Sequence, residues 1–181
     1  MISTVYKNKI MNITIECENE YKDWDIDFAW VISTAKSVLE FYLEQKYIYN
    51  ESCLKDYDFN SLSFDFLFCD SKKTHEINKQ YRQKDYPADI ITFAVFADSE
   101  QSERFVLDDE INLGEIIIAL DKMIDGAKEK GIAKEDELAF FISHGIMHLL
   151  GFDHQSELDY NFVVENQKKA LESINIHYDK I

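Results

Sequence analysis

The sequence has few residues that interrupt a chain or cross-link it. Its 181 residues include one proline, five glycines and three cysteines. So little proline and glycine excludes a flexible linker between domains, and the length suits one core, so we expect residues 1–181 to form a single domain. Cys17, Cys53 and Cys69 are widely spaced and form no CxxC pair. Their odd number and spacing favour reduced thiols over disulfide bonds or cysteine metal ligands.

Long apolar runs are also absent. Charged residues interrupt every apolar stretch well before the roughly 18 residues that a membrane span requires. The segment 1–18 has no basic region followed by an apolar one, so we do not expect a secretory signal there. Together with the reduced thiols, these absences predict a cytoplasmic protein that does not contact a membrane.

Positive charge is scarce over the whole chain. There are 19 basic residues against 35 acidic ones, and the formal net charge is −16. This balance argues against broad nucleic-acid binding, because a phosphate backbone would be repelled. One segment differs, since residues 72–84 carry five of the 19 basic residues: Lys72, Lys73, Lys79, Arg82 and Lys84. Taken alone, this segment is more simply explained as a solvated helix face.

The hydrophobic pattern predicts a mixture of strands and helices. Strands are expected at 12–18, 62–69, 89–97 and 114–120, and helices at 27–48, 72–84, 121–131, 134–150 and 156–174. This order predicts an α+β fold with a small mixed sheet of about four strands packed against helices.

Some details of these elements follow from individual residues. Ser71 is the expected N-cap of the basic helix at 72–84. Gly131 is expected to end the helix at 121–131. The nearly continuous apolar segment 89–97 is typical of a strand covered on both faces. The acidic segment 98–110 lacks periodicity, so we expect an exposed loop there.

Three of the five histidines occur in SHGIMHLLGFDH, residues 143–154. His144 and His148 are four residues apart on a predicted helix, so they share one face. Gly151 tolerates positive φ and can end that helix. His154 can then return toward the pair, whereas a continuous helix would carry it about 9 Å further along the axis. We therefore predict a metal site on this helix and the turn after it, in which three histidines hold one Zn²⁺ and water takes the fourth position.

Other interpretations of these histidines are simpler but less specific. A lone histidine on an apolar face is usually a hydrogen-bonded core residue, and an HxxxH pair arises often by chance. The third histidine after a helix-ending glycine makes the combination specific. A purely structural zinc generally needs four protein ligands, and no fourth is evident. His75 and His177, the remaining histidines, are interpreted as surface or packing residues.

The spacing HxxxHxxGxxH is also that of metzincin proteases, in which a glutamate after the first histidine acts as general base. Gly145 occupies that position here and has no side chain to accept a proton. Peptide hydrolysis by that mechanism is therefore disfavoured. Asp153 could accept a hydrogen bond from a metal-binding histidine or act as a base. A role in the turn is the simpler interpretation.

Three blocks of this sequence resemble the YbeY family of bacterial rRNA-maturation endoribonucleases. They are HGIMHLLGFDH (144–154), INKQYRQKDYPADIITFAV (77–95) and LGEIIIA (113–119). The segment 165–174 resembles the closing helix of that family, and the similarity covers about residues 60–174. The sequence departs from the family pattern at five positions, all outside the three histidines: Ala88, Thr92, Ala94, Glu115 and Met147. Ala88 removes a hydroxyl from a loop that could face the site, which puts fine substrate positioning in question.

The resemblance implies an α+β fold, a zinc ion on His144, His148 and His154, and cleavage of single-stranded RNA in small-subunit rRNA processing and ribosome quality control. It also implies a catalytic role for Arg82, whose guanidinium could bind two phosphate oxygens and offset charge in the transition state. Single-stranded RNA or rRNA is the implied partner. Ribosomal proteins or an Era-type GTPase could deliver it.

Two other functions and one mechanistic choice stay open at this point. The chain could be a metal-dependent hydrolase of another substrate class, including peptides, or a ribosome-assembly factor with a structural zinc. In a ribonuclease, the nucleophile could be water activated by zinc or the 2′-hydroxyl of the RNA. The sequence does not separate these routes.

Overall fold

The computed structural model describes residues 11–179. Residues 1–10, which include most of the segment tested above for a signal, and residues 180–181 lie outside the described residues. The elements are β1 (Asn12–Asn19), α1 (Phe28–Glu44), α2 (Lys46–Tyr49), β2 (Ser61–Cys69), α3 (Ser71–Tyr81), β3 (Ile90–Phe93), α4 (Val95–Asp98), β4 (Glu110–Ala119), α5 (Leu120–Lys130), α6 (Lys134–Leu149) and α7 (Glu157–Ser173).

The four strands form one mixed sheet in the order β1-β2-β4-β3. β1, β2 and β4 run parallel, and β3 pairs antiparallel with β4 at the edge. The crossover through α1 and α2 separates β1 from β2, as parallel neighbours require. The predicted α+β fold with a small mixed sheet packed against helices is confirmed.

β2 forms because its apolar residues alternate, and it supplies the centre of the core. Leu62, Phe64, Phe66 and Phe68 all point to one face and are no more than 1% exposed. Burying each of these side chains contributes about 1.5–3 kcal/mol. The alternation therefore fixes which face of the sheet receives the helices.

Helices α1 and α6 cover that face, and α7 packs against both of them. α1 begins at Asp27, whose side chain accepts a hydrogen bond from the backbone N–H of Trp30, as an N-cap does. Its fully buried Tyr42 donates a hydrogen bond to the carbonyl of Ser143 in α6, at 3.3 Å. This contact joins α1 to α6 immediately before the first histidine of the predicted site.

The prediction of a strand at 89–97, covered on both faces, is wrong. β3 ends at Phe93, and Val95 already belongs to the short helix α4. β3 lies at the sheet edge, and Ile91 is its one fully buried residue. A continuous apolar run is equally compatible with a short strand followed by a buried helical turn, and periodicity does not separate the two.

Several other boundaries differ from those predicted. The cap of α3 is Asp70, which accepts from the backbone N–H of Lys73, while Ser71 donates from its hydroxyl to Asp121. The long helix at 27–48 is divided at Gln45 into α1 and α2. The expected loop at 98–110 is shorter, since α4 extends to residue 98 and β4 begins at residue 110. The predicted helix at 72–84 ends earlier, at Tyr81, and the predicted strand at 114–120 begins earlier, at Glu110. The remaining predicted elements match within one or two residues.

Within residues 11–179, no helix is both long enough and apolar enough to cross a membrane.

Candidate metal centre

The centre is built on α6, the most buried of the helices. Its first turn contains Glu135, Asp136 and Glu137, and acidic side chains there complement the positive end of the helix dipole. Further along, apolar residues bury the helix between the sheet, α1 and α7. His144 and His148 lie together on the one face that these contacts leave partly open.

The turn after α6 brings in the third histidine. Gly151 has φ +95°, and the N–H of Phe152 donates to the carbonyl of Met147 at 3.0 Å, while that of Gly151 donates to His148 at 2.9 Å. This pair of bonds is a Schellman motif, which reverses the chain. His154 therefore faces the other two histidines, as its spacing predicted.

The three imidazoles form a compact triangle. The Nε2 atoms of His144 and His148 are 3.0 Å apart, and the ring of His154 lies 5.3 Å and 5.2 Å from theirs. One nitrogen from each residue lies within 4.8 Å of the others. Such a group can hold a metal ion.

Protonation in this triangle suits metal binding. Burial is the main reason that the pKa of His144 falls to about 4, and His148 and His154 lower it further. The pKa of His148 is also lowered, again first by burial. An imidazole must be neutral to bind a metal ion, and a neutral His144 at pH 7 meets that condition. The residues present therefore fit a metal ion.

Asp153 has a role in the turn. Its Oδ1 accepts from the backbone N–H of His154 at 2.8 Å, and its Oδ2 accepts from the side chain of Gln155 at 2.9 Å. These bonds lower the pKa of the Asp153 carboxyl. Both oxygens are used in shaping the loop that carries His154, which favours the turn interpretation over a general base.

Gly145, which replaces the protease glutamate, packs directly on the sheet. A Cβ atom at this position would lie 2.7 Å from Cδ1 and 2.8 Å from Cγ2 of Ile116 in β4. Residue 145 therefore lies against the core side chain of Ile116. A glutamate there would clash with Ile116, so the packing of α6 on β4 leaves no room for the protease base.

Arg82 lies at the end of α3, outside the helix in which it was predicted. It is exposed, and its positive charge lowers the pKa of His148. Within the described range, its guanidinium forms no ion pair and no side-chain hydrogen bond. The structure thus brings Arg82 within electrostatic range of the histidines and leaves it free to contact an anion.

Two buried polar residues of α3 hold the loop that follows Arg82. The side chain of Asn78 donates to the carbonyl of Tyr86 at 2.9 Å, and that of Thr74 donates to Ala88 at 2.7 Å. The backbone N–H of Arg82 also donates to Asn78. Sequence reasoning missed both residues, although polar side chains on the apolar face of a helix were a signal that they have specific partners.

The lysines near Arg82 are partly neutralised. Lys73 lies 3.4 Å from Glu20, and Lys79 lies 3.6 Å from Asp85. His75 also pairs with Asp85 and lies largely at the surface, as expected. These exposed pairs contribute little to stability, but they reduce the positive field around Arg82 relative to a simple count of basic residues.

The substitution at position 88 lies in the loop between α3 and β3 and is half-buried. Ala88 packs against the small cluster between α3 and the sheet, which contains Ile77, Ile91 and Ile117. Its carbonyl is the acceptor for Thr74. The structure gives Ala88 a place in this packing, and its effect on substrate positioning stays a prediction.

Fold and site together define the class: an α+β protein in which a buried helix and the turn after it gather three histidines able to hold a metal ion. A family model described as endoribonuclease YbeY matches residues 16–175. The chain belongs to this family.

Curated relatives agree with the family model. The chain is 31% identical to endoribonuclease YbeY of Lachnoclostridium phytofermentans over 177 residues, which cover 92% of this chain and 99% of the relative. It is 37% identical to endoribonuclease YbeY of Malacoplasma penetrans over 126 residues, which cover 70% of this chain and 77% of the relative. A solution structure of a Thermotoga maritima protein has a TM-score of 0.53 and 18% identity over 90% of this chain and 91% of that one, a likeness that concerns the fold alone.

Proposed function

We propose that this chain is a zinc-dependent, single-strand-specific endoribonuclease that acts in small-subunit rRNA maturation and ribosome quality control. The main support is the group of three imidazole nitrogens within 4.8 Å of one another, with the charge of Arg82 acting on the same group. Family membership supports RNA as the substrate, since the matching relatives are named endoribonucleases.

In this proposal, His144, His148 and His154 hold one Zn²⁺ through neutral nitrogens. When bound, the metal supplies Lewis-acid activation of a phosphoryl oxygen or of water. The exposed His154 leaves one side of the triangle open to substrate. These three residues thus combine a rigid pair on a helix with a third ligand on the open side.

Arg82 is the proposed catalytic side chain. Its free guanidinium can bind two oxygens of the scissile phosphate, and a fixed positive charge there stabilises the additional negative charge of the transition state. Gly145 provides no base, and Asp153 is engaged in the turn. This arrangement suits charged phosphate chemistry better than peptide hydrolysis. Both water and the RNA 2′-hydroxyl are compatible nucleophiles.

The net charge of the chain bears on how RNA would reach the site. A net charge of −16 limits non-specific attraction to RNA. Ribosomal proteins or an Era-type GTPase would then help to deliver the substrate in the cytoplasm. Co-purification with small ribosomal subunits, followed by salt washes, would test this delivery.

The test compares three substrates and three variants. A zinc-loaded preparation is given a single-stranded RNA oligonucleotide, the duplex form of the same oligonucleotide, and casein. We expect cleavage of the single strand alone. His148→Ala should abolish zinc binding and cleavage together, and Arg82→Glu should lower the rate at full zinc occupancy by about 100-fold or more.

Lys79→Glu is the matched control for Arg82→Glu, because it reverses a charge in the last turn of α3, close to Arg82 in the chain, at a residue already paired with Asp85. It should retain most of the activity. Casein cleavage without RNA cleavage would favour a hydrolase of another class. RNA cleavage that survives loss of zinc in His148→Ala would refute the catalytic metal.

A further inference from the structure

Gln167 of α7 is a fully buried amide that packs against the helix of the metal centre. Its side chain is 0% exposed, as is that of its neighbour Ser143 in α6. A buried amide needs partners for both its N–H₂ donors and its oxygen. Where the two ends of Gln167 point therefore indicates what the residue does.

The orientation of the amide is set by Ser143. The hydroxyl of Ser143 donates to the carbonyl of Phe140 at 2.8 Å, so its oxygen is left to accept. The Nε2 atom of Gln167 donates to that oxygen at 3.4 Å. The N–H₂ end of the amide is thus directed to Ser143, and Oε1 is directed elsewhere.

The other end of the amide is the Oε1 atom of Gln167. Among the described residues, it has no partner that meets the geometry of a full hydrogen bond. The Gln167 side chain nevertheless lies close enough to His144 to raise the pKa of the histidine, against the larger effect of burial, as a nearby acceptor does. Since Nε2 of His144 faces His148 at 3.0 Å, Nδ1 is the ring nitrogen left for this contact.

We propose that Gln167 is a positioning residue whose Oε1 accepts the Nδ1–H of His144 and thereby fixes the tautomer that presents Nε2 to the metal. A ligating histidine commonly donates its second ring N–H to such an acceptor, which sets both tautomer and ring orientation. The relay runs from Phe140 through Ser143 and Gln167 to His144. The inference rests on the proposed metal centre and not on RNA cleavage.

Zinc affinity tests this role through variants at two neighbouring buried amides. Gln167→Met keeps the size and removes the acceptor, so it should bind zinc about 10–100-fold more weakly in competition with a chromogenic chelator. Gln167→Glu restores an acceptor and should bind at least as tightly as wild type. Asn166→Leu is the control, because Asn166 bonds to Tyr47 and Phe162 and not to a histidine. It should lose stability without a comparable loss of zinc affinity.

A second measurement reads the tautomer in the metal-free protein. In ¹⁵N-histidine spectra, wild type and Gln167→Glu should hold His144 with the proton on Nδ1. Gln167→Met should give a mixture of the two tautomers. Circular dichroism of each metal-free variant checks that it remains folded.

Two results would overturn the role of Gln167: zinc binding by Gln167→Met as tight as in wild type, or an unchanged His144 tautomer in that variant. Failure of the proposed function is distinguishable from either. Wild type that binds zinc but does not cleave RNA would refute the ribonuclease and leave Gln167 in its role. If wild type bound no zinc, the metal-free tautomer would decide the question for Gln167.

Discussion

At the scale of single residues, space decides the identity of residue 145. α6 and β4 approach so closely that only a hydrogen fits between the backbone at 145 and the side chain of Ile116. Gly126 in α5 offers a comparison, because a Cβ there would meet its nearest neighbour, Glu137 Oε1, at an ordinary 3.6 Å. The two helical glycines should therefore respond in opposite ways to the same substitution.

We predict that Gly145→Ala lowers the free energy of unfolding by about 1–2 kcal/mol, because overpacking exceeds the gain in helix propensity. Gly126→Ala should raise it by about 0.5–1 kcal/mol. Urea unfolding of the metal-free proteins measures both. Ile116→Val, which removes the Cδ1 methyl, should be less costly in the Gly145→Ala background than alone. Equal effects of the two glycine substitutions would contradict this packing account.

The three histidines could be found from sequence because their relation is local. A separation of four on a helix, followed by a glycine, fixes their relative places within eleven residues. Arg82 needed the family resemblance, since its approach to His148 depends on how α3 packs. Thr74, Asn78 and Gln167 were missed because each acts through partners at least eight residues away or on another element, and no periodic pattern encodes such pairs.

At the scale of elements, two helices end on glycines with positive φ, but only one end carries a ligand. Gly131 ends α5 with φ +69°, and Gly151 follows α6 with φ +95°. A Cβ at Gly131 would have no neighbour within 4 Å, and one at Gly151 would make ordinary contacts of 3.5 Å or longer. Backbone strain is therefore the main cost at both positions.

We predict that Gly131→Ala and Gly151→Ala each lower the free energy of unfolding by about 1–2 kcal/mol. Only Gly151→Ala should also weaken zinc binding, because it displaces the turn that directs His154. Isothermal titration with zinc separates the two effects. Unchanged zinc affinity in Gly151→Ala would show that the turn does not position the third ligand.

Three carboxylates lie side by side across the open face of the sheet. The strand register pairs Asp65 with both Glu16 and Glu115. The pKa values of Asp65 and Glu115 are raised, first by partial burial and then by neighbouring carboxylates. A raised pKa means that the folded state binds protons more tightly than the unfolded state. This row therefore becomes more destabilising as the pH rises from about 4, the unfolded value.

We predict that Asp65→Asn stabilises the protein by about 0.5 kcal/mol at pH 7, because like charges opposite one another on a sheet are unfavourable. The gain should shrink as the pH falls toward about 4. Thermal unfolding across this range measures it. Glu165→Gln is the control, and it should destabilise the protein at pH 7, since pairing with Lys169 lowers the pKa of Glu165. A gain for Asp65→Asn that did not change with pH would refute the electrostatic explanation.

The helices were easier to predict than the edge of the sheet. α5, α6 and α7 combine long amphipathic patterns with recognisable ends, so their bounds lie within one or two residues of those predicted. β3 and α4 form one apolar run in the sequence, and the break between them depends on how β4 packs beside Phe93. That information is tertiary, which is why the sequence suggested a single long strand.

At the scale of the whole molecule, one large core joins the metal centre to the sheet. The same buried cluster contains Phe64 and Phe66 of β2, Ile142 and Ile146 of α6, and Val163 of α7. A ligand that stabilises α6 should therefore stabilise all of these elements together. The single-domain interpretation stays a prediction that this coupling can test.

We predict one cooperative unfolding transition that zinc shifts as a whole. Free zinc at 100 times its dissociation constant should add about 2.7 kcal/mol, or roughly 5–10 °C in Tm for a chain of this size. Differential scanning calorimetry with and without zinc is the measurement. Two separate transitions, of which zinc moves one, would contradict a single domain.

The central claim is that the three-histidine centre, loaded with one metal ion, cleaves single-stranded RNA. The most direct test titrates zinc into the metal-free protein and records the initial rate of cleavage of an RNA oligonucleotide at each step. The account predicts a cleavage rate that rises in proportion to bound zinc and stops rising at one equivalent per chain. Arg82→Glu should bind the same one equivalent of zinc but cleave the RNA much more slowly. A cleavage rate that does not depend on zinc occupancy would contradict it.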